Sequence, residues 1–259
     1  MSEGLRDQLL RDDWPAVPDD GLDPASRDLA ALEHLAGQGD AAMQLIEPIR
    51  RGIGRVEYSS PGTTLMRVGD GNQILIAADA DEGRSLIASI EPTFMTLCTL
   101  SLMDEVCHAL EFTHFMRHHL ALYEKKEAPS VDPACAACIR PLELSWAPTI
   151  AEIYQAGFTA EELEDEMRAG TLFGAFDPET NELIGFVGEH REGSIGILQI
   201  KDFFRRKGWA EALEATKIAE HLSRGWLPWC QIDEGNDASL ALQEKLGFRL
   251  TPPEQVFLW

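Results

Sequence analysis

Two hydrophobic rhythms run along this chain, and their alternation lays out its elements. Asp23-Pro24 reads as a helix cap with proline at the first helical position. Leu29, Leu32 and Leu35 then fall on one face of a helix running to Ala36. Gly37 to Asp40 breaks that helix, and a second is predicted over Ala41 to Arg50. From Gly52 the period shortens. Arg55–Ser59 and Thr63–Val68 read as strands, Gly69-Asp70-Gly71-Asn72 as a hairpin turn, and Gln73–Ala78 as the return strand. Glu82–Ile90 is helical, Thr93–Thr99 a buried strand, Leu102–Leu110 helical, and Met116–Tyr123 an alternating strand. Ahead of all this, residues 1–22 are polar and proline-punctuated and predict a loose arm.

The order then repeats. A charged and proline-bearing stretch, Glu124 to Ala137, predicts a linker, set at residues 127–138 between halves 1–126 and 139–259. Ile139–Leu144 opens the second half as a strand, and Ala147–Ala156 follows as a helix. Thr159 with Glu162 forms a capping box for the next helix, which Gly170 stops. Leu172–Phe176 and Glu182–Val187 make a hairpin, and Ser194–Ile200 a central strand. After Gly208 a helix places Ala212, Ala215, Ala219 and Leu222 on its packed face. Leu227–Asp233 is a strand, Asn236–Leu246 a helix, and Gln255–Trp259 a last strand. Each half thus reads as hairpin, helix, strand, helix, strand. The predicted class is α/β (α+β): tandem halves, each a mixed, mostly antiparallel sheet flanked by helices.

Composition narrows the partners. A formal charge of −22 argues against nucleic acid, whose phosphates need cationic neutralisation. No run approaches the ~20 apolar residues of a membrane span, and the acidic, polar start is unlike a secretory signal, so a cytoplasmic protein is expected. The odd number of cysteines (Cys98, Cys107, Cys135, Cys138, Cys230) does not form a disulfide framework. Cys135-Ala-Ala-Cys138 has metal-ligand spacing without a second pair, and no metal is expected.

Against that acidity, Arg205, Arg206 and Lys207 are conspicuous. They lie between the strand ending at Ile200 and the helix after Gly208. A strand feeding a glycine turn into a helix leaves unpaired N–H groups, and the helix dipole and three cations add positive potential, so the turn can hold phosphate. The corresponding turn of the first half, Asp79-Ala80-Asp81-Glu82, would repel phosphate.

With Arg205, Gly208 and Ala210 in this turn, and Asn236, Ser239 and Leu246-Gly247-Phe248 around the next helix, residues 139–259 resemble the GCN5-related N-acetyltransferases. Pro228–Asn236 looks most like their glycine N-acyltransferase-like branch, which also carries a degenerate first copy. The resemblance implies an enzyme that moves an acetyl or other short acyl group from acyl-CoA to the amine of a small molecule or amino acid. It implies that N–H groups from about Arg206 through Trp209 to Ala210 hold the pyrophosphate. The strand edge at Leu198, Gln199 and Ile200 would pair with the pantetheine arm, splayed from the strand of Gln231. An N–H near Leu198 or Gln199 would polarise the thioester carbonyl. Asn236 and Ser239 would touch the cofactor arm or hold the loop.

Two positions depart from that pattern. Ser194 stands where many relatives have a glutamate base, and Gln243 where many have a tyrosine acid. Glu189 is the base candidate in their place, with His190 and Glu192 beside it and Asp233 and Glu234 as weaker ones. The alternatives are an acyl-CoA-binding sensor or interaction module without turnover, and a zinc protein using Cys135 and Cys138. A small-molecule amine is the expected acceptor, and a homodimer is possible.

Overall fold

A computed structural model describes residues 23–69, 71–90, 92–154 and 158–259. The predicted arm 1–22, Asp70 of the hairpin turn and the Ala156 end of a predicted helix lie outside these. The described chain forms two compact units. Unit 1 holds residues up to Leu120, with Ile232–Gly235 and Thr251–Trp259; unit 2 holds Ala121–Gln231 and Asn236–Leu250. These are not the consecutive stretches 1–126 and 139–259, because the chain's last strand completes the sheet of unit 1.

In unit 1, helices α1 (Pro24–Leu35) and α2 (Met43–Arg51) precede the meander β1 (Arg55–Ser59), β2 (Thr63–Val68) and β3 (Asn72–Ala77). Then come α3 (Ala80–Ile87), β4 (Phe94–Leu97), α4 (Met103–Ala109) and β5 (Phe115–Leu122). The capping expectation for α1 holds: the Asp23 carboxylate accepts from the N–H groups of Ala25 and Ser26, with Pro24 in the first turn. β3 and β4 run parallel, and β12 (Gln255–Leu258) pairs antiparallel with β4 on one side and β5 on the other.

Strand alternation sorts the core onto two faces. Met66, Val68, Ile74 and Ile76 pack with Leu35, Leu45 and Ile49 of α1 and α2. Leu65, Leu75 and Ala77 pack with Leu86 and Ile87 of α3, Val106 of α4, and Val256 and Leu258 of β12.

Unit 2 contains α5 (Pro133–Ala136), a single turn within the predicted linker, then β6 (Ile139–Pro141), α6 (Ala147–Ile153) and α7 (Ala160–Ala169). The capping box of α7 forms through Thr159 and Glu162, and Gly170 ends the helix in the left-handed region, as expected from the sequence. β7 (Phe173–Phe176), β8 (Leu183–Glu189) and β9 (Ile195–Ile200) follow. With β6 they form an antiparallel sheet in the order β6-β7-β8-β9. Helix α8 (Trp209–Ser223), strand β10 (Trp229–Asp233, its last two residues in unit 1), helix α9 (Asp237–Leu246) and the short β11 (Arg249–Leu250) follow, and neither β10 nor β11 is a strand of that sheet. Leu142, Ile150, Leu163, Leu172, Phe176, Phe186 and Ile197 form its core.

Candidate functional site

The site is built where β9 gives way to α8. β9 pairs with β8 and stands at the edge of its four-stranded sheet, so the side away from β8 is unpaired among the described residues. β10 does not join that sheet. The β8–β9 register slips between Phe186 and Gly188, and Ile197, inside the bulge, has φ of 52°. A β-branched residue at positive φ is strained backbone, held here by packing: Ile197 is buried in the unit 2 core. Leu198 and Gln199, next along the edge, are half-buried, and Ile200 is buried.

Beyond Ile200 a short 3-10 turn, Asp202–Phe204, leads to the basic stretch. Arg205 reaches back, its Nε donating to the Ile200 carbonyl at 3.1 Å and its guanidinium pairing with Asp202 at 2.9 Å. Its side chain therefore fastens the turn to the strand end. Arg206 takes φ of 63° and Gly208 φ of 85°. A Cβ at Gly208 would meet nothing within 4 Å among the described residues. No side chain caps α8, and the N–H groups of Arg206, Lys207, Gly208, Trp209 and Ala210 have no acceptor among the described residues. Five N–H groups without an acceptor at the start of a fifteen-residue helix, with the exposed cations Arg206 and Lys207 beside them, are an arrangement that can attract an anion.

Helix α9 is tied to α8. Lys245 Nζ lies 2.6 Å from a carboxylate oxygen of Glu211 in the first turn of α8, and Gln243 donates to Glu214 at 3.0 Å. Asn236 caps α9 by accepting from the Ser239 N–H at 3.2 Å. The two residues expected at the cofactor arm thus bond to each other at the start of α9.

The acid–base candidates separate clearly. Glu189 is buried. Its carboxylate lies 2.5 Å from the Lys217 ammonium and 3.0 Å from His221 Nε2. Lys217 also lies 2.7 Å from Glu220 and donates to the Thr171 carbonyl at 2.8 Å. This places the expected base inside an ion-pair network rather than in a cleft. Glu189, Glu220 and His221 have the spacing of a metal site, but the Lys217 ammonium already sits between the two carboxylates. Glu192 is buried and accepts from the Ser194 hydroxyl. His190 remains half-buried, its ring against Gly196, where any Cβ would come within 2.2 Å of the imidazole. Phe158 flanks that ring at 5.9 Å between centroids. Asp233 and Glu234 belong to unit 1, where the Glu234 N–H donates to the Arg117 carbonyl.

The packed face of α8 differs from the expected one. Ala212 and Ala215 are buried, but Ala219 is exposed and Leu222 only half-buried. Glu214, Lys217 and His221 are buried instead. Burial pushes the Glu214 carboxyl up to about 7, against the lowering effect of the Gln243 hydrogen bond. None of these three charged residues belongs to the face expected from the sequence. Their helical spacing beside Ala215 and Ile218 was the available signal. Cys135 is buried with its Sγ 3.9 Å from the Lys207 carbonyl, and Cys138 Sγ lies 3.3 Å from the Ala134 carbonyl.

Residues 172–258 match the family model of FR47-like proteins. Among solved structures, a Drosophila protein aligns over 92% of this chain and 96% of its own, with 15% identity and a TM-score of 0.76. A GCN5-related N-acetyltransferase-like protein from Streptococcus suis aligns over 92% of this chain and 100% of its own, at 14% identity and TM-score 0.57. An acetyltransferase of the same family from Novosphingobium aromaticivorans, described as putative, covers 83% and 93% at 18% identity and TM-score 0.55. The fold is that of GCN5-related N-acetyltransferases. No curated protein matches the sequence. Among the described residues, no helix is long and apolar enough to cross a membrane.

Proposed function

We propose that the protein is an acyl-CoA-dependent N-acyltransferase whose acceptor is the amine of a small molecule or amino acid, as in the glycine N-acyltransferase-like branch. The observation that carries this reading is the open turn from Arg206 to Ala210. Its free N–H groups fit a pyrophosphate, and among the described residues nothing crowds a Cβ position at Gly208. The unpaired edge at Leu198–Ile200 fits an amide-bearing arm. Acyl-CoA supplies an activated thioester carbonyl. The strained bulge at Ile197, on the unpaired edge, supports a role for the backbone N–H near Leu198 or Gln199 in stabilising the developing oxyanion.

For the amine proton we assign His190. Glu189 is consumed by Lys217, and Glu192 by Ser194, whereas the His190 imidazole lies along β9 over Gly196 and beside Phe158. The amine nitrogen forms the new C–N bond as the C–S bond breaks. His190 takes the amine proton, and the CoA thiolate leaves to solvent.

Titration calorimetry with acetyl-CoA, followed by free-thiol release across an amine panel, tests the reading. Micromolar binding with amine-dependent thiol release is expected, and His190→Gln should cut turnover at least 100-fold with unchanged acetyl-CoA affinity. Binding without release from any amine sinks the enzyme reading. It favours the alternative that Ser194 and Gln243 suggest, a module that binds acyl-CoA without turning it over.

A further inference from the structure

Phe203 is the most exposed large apolar side chain of the described residues, at 80%. It sits in the 3-10 turn immediately before the basic stretch. An isolated exposed ring needs no explanation by itself, but this one is held. Phe204, half-buried, meets it edge-on at 5.3 Å and 89°. The Lys207 ammonium lies over it, 4.7 Å from the ring centroid. Beside it, Arg206 is exposed, makes no hydrogen bond or ion pair among the described residues, and is presented from strained backbone at φ 63°. A preset aromatic face flanked by two cations free of carboxylates is complementary to one ligand chemistry: a planar base attached to phosphate.

Resting on the acyl-CoA reading, we infer that Phe203, Arg206 and Lys207 form the subsite for the adenosine 3′-phosphate end of CoA. Phe203 stacks on the adenine. Arg206 and Lys207 pair with the 3′-phosphate, Lys207 swinging off the ring face to reach it. The subsite makes the protein selective for CoA over carriers that end at 4′-phosphopantetheine.

The test measures dissociation constants by calorimetry for CoA, dephospho-CoA, and 4′-phosphopantetheine, on the full chain and its variants. Phe203→Ala should weaken CoA and dephospho-CoA equally, about 10-fold or more, and leave 4′-phosphopantetheine unchanged, with Phe203→Trp restoring affinity. Arg206→Ala combined with Lys207→Ala should erase the preference for CoA over dephospho-CoA. These positions are exposed, so thermal denaturation should show the variants as stable as the parent. CoA affinity unchanged in Phe203→Ala, or equal parental affinity for CoA and dephospho-CoA, overturns the subsite while leaving the acyl-CoA reading intact. A parent protein that binds none of the three ligands overturns both.

Discussion

Each unit contains a passage of one kind: a strand ends, the chain turns, and a helix follows. In unit 1 the passage from β3 to α3 is closed by its own carboxylates. Asp79 Oδ1 accepts from the N–H groups of Asp81 at 2.9 Å and Glu82 at 3.1 Å. Glu82 in turn accepts from the hydroxyls of Tyr58 and Ser60. The buried side of α3 is Gly83, Leu86 and Ile87. In unit 2 the passage from β9 to α8 has no such cap, carries three cations, and buries Glu214, Lys217 and His221 on the helix. Two junctions of one architecture therefore meet the same requirement, free N–H groups at a helix start, in opposite ways. One satisfies them internally and gains stability. The other leaves them without an acceptor among the described residues and puts charge into its core.

The largest expected effect follows from that buried charge. Lys217→Ala removes the buried ammonium that Glu189 and Glu220 share, leaving Arg224 on Glu220, which costs about 3–5 kcal/mol. Urea denaturation reads this directly. Glu189→Gln with Lys217→Met should recover most of the loss, and a double variant as unstable as the single one would contradict the pairing.

Next is Glu214, whose carboxyl burial pushes up to about 7 from an ordinary value of 4.5. Between these values the folded state holds a proton that the unfolded chain releases. Its contribution is therefore intact below pH 4.5, and stability falls as pH rises, by about 3 kcal/mol by pH 8. Glu214→Gln should flatten this slope and stabilise the protein at pH 8. The parent-minus-variant difference in unfolding free energy between pH 5 and pH 8 is the measurement, and an unchanged difference dismisses the effect.

The smallest changes exchange the two solutions. Gly208→Asp gives α8 the carboxylate that Asp79 gives α3, and should lower acetyl-CoA affinity about 100-fold, a change of ~2.7 kcal/mol. Asp79→Ala removes the α3 cap at a cost of about 1 kcal/mol. Equal acetyl-CoA binding by parent and Gly208→Asp would show that the cradle is not where the ligand sits.

Most element boundaries were legible in the sequence because caps and turns carry local chemistry: Asp23-Pro24, Thr159 with Glu162, and Gly170 each act within a few residues of themselves. The basic turn was legible for the same reason. The buried cluster was not. Lys217 is buried because Glu189 and Thr171, far from it in the chain, converge on it, and no local pattern announces such a partner. The fate of Glu189 as a base followed with it. The destination of β12 was equally hidden. Gln255–Trp259 reads as a strand, but pairing is long-range, and nothing near it names β4 and β5 as its neighbours.

That destination governs the order of events during synthesis. The β4 edge at Met95–Leu97 waits for Val256–Leu258, so the first unit is assembled last, after the ribosome has made more than a hundred intervening residues. Until then β4 offers a bare, apolar template to any passing strand. A nascent chain stalled before Gln255 is thus the form of this protein most in need of a chaperone.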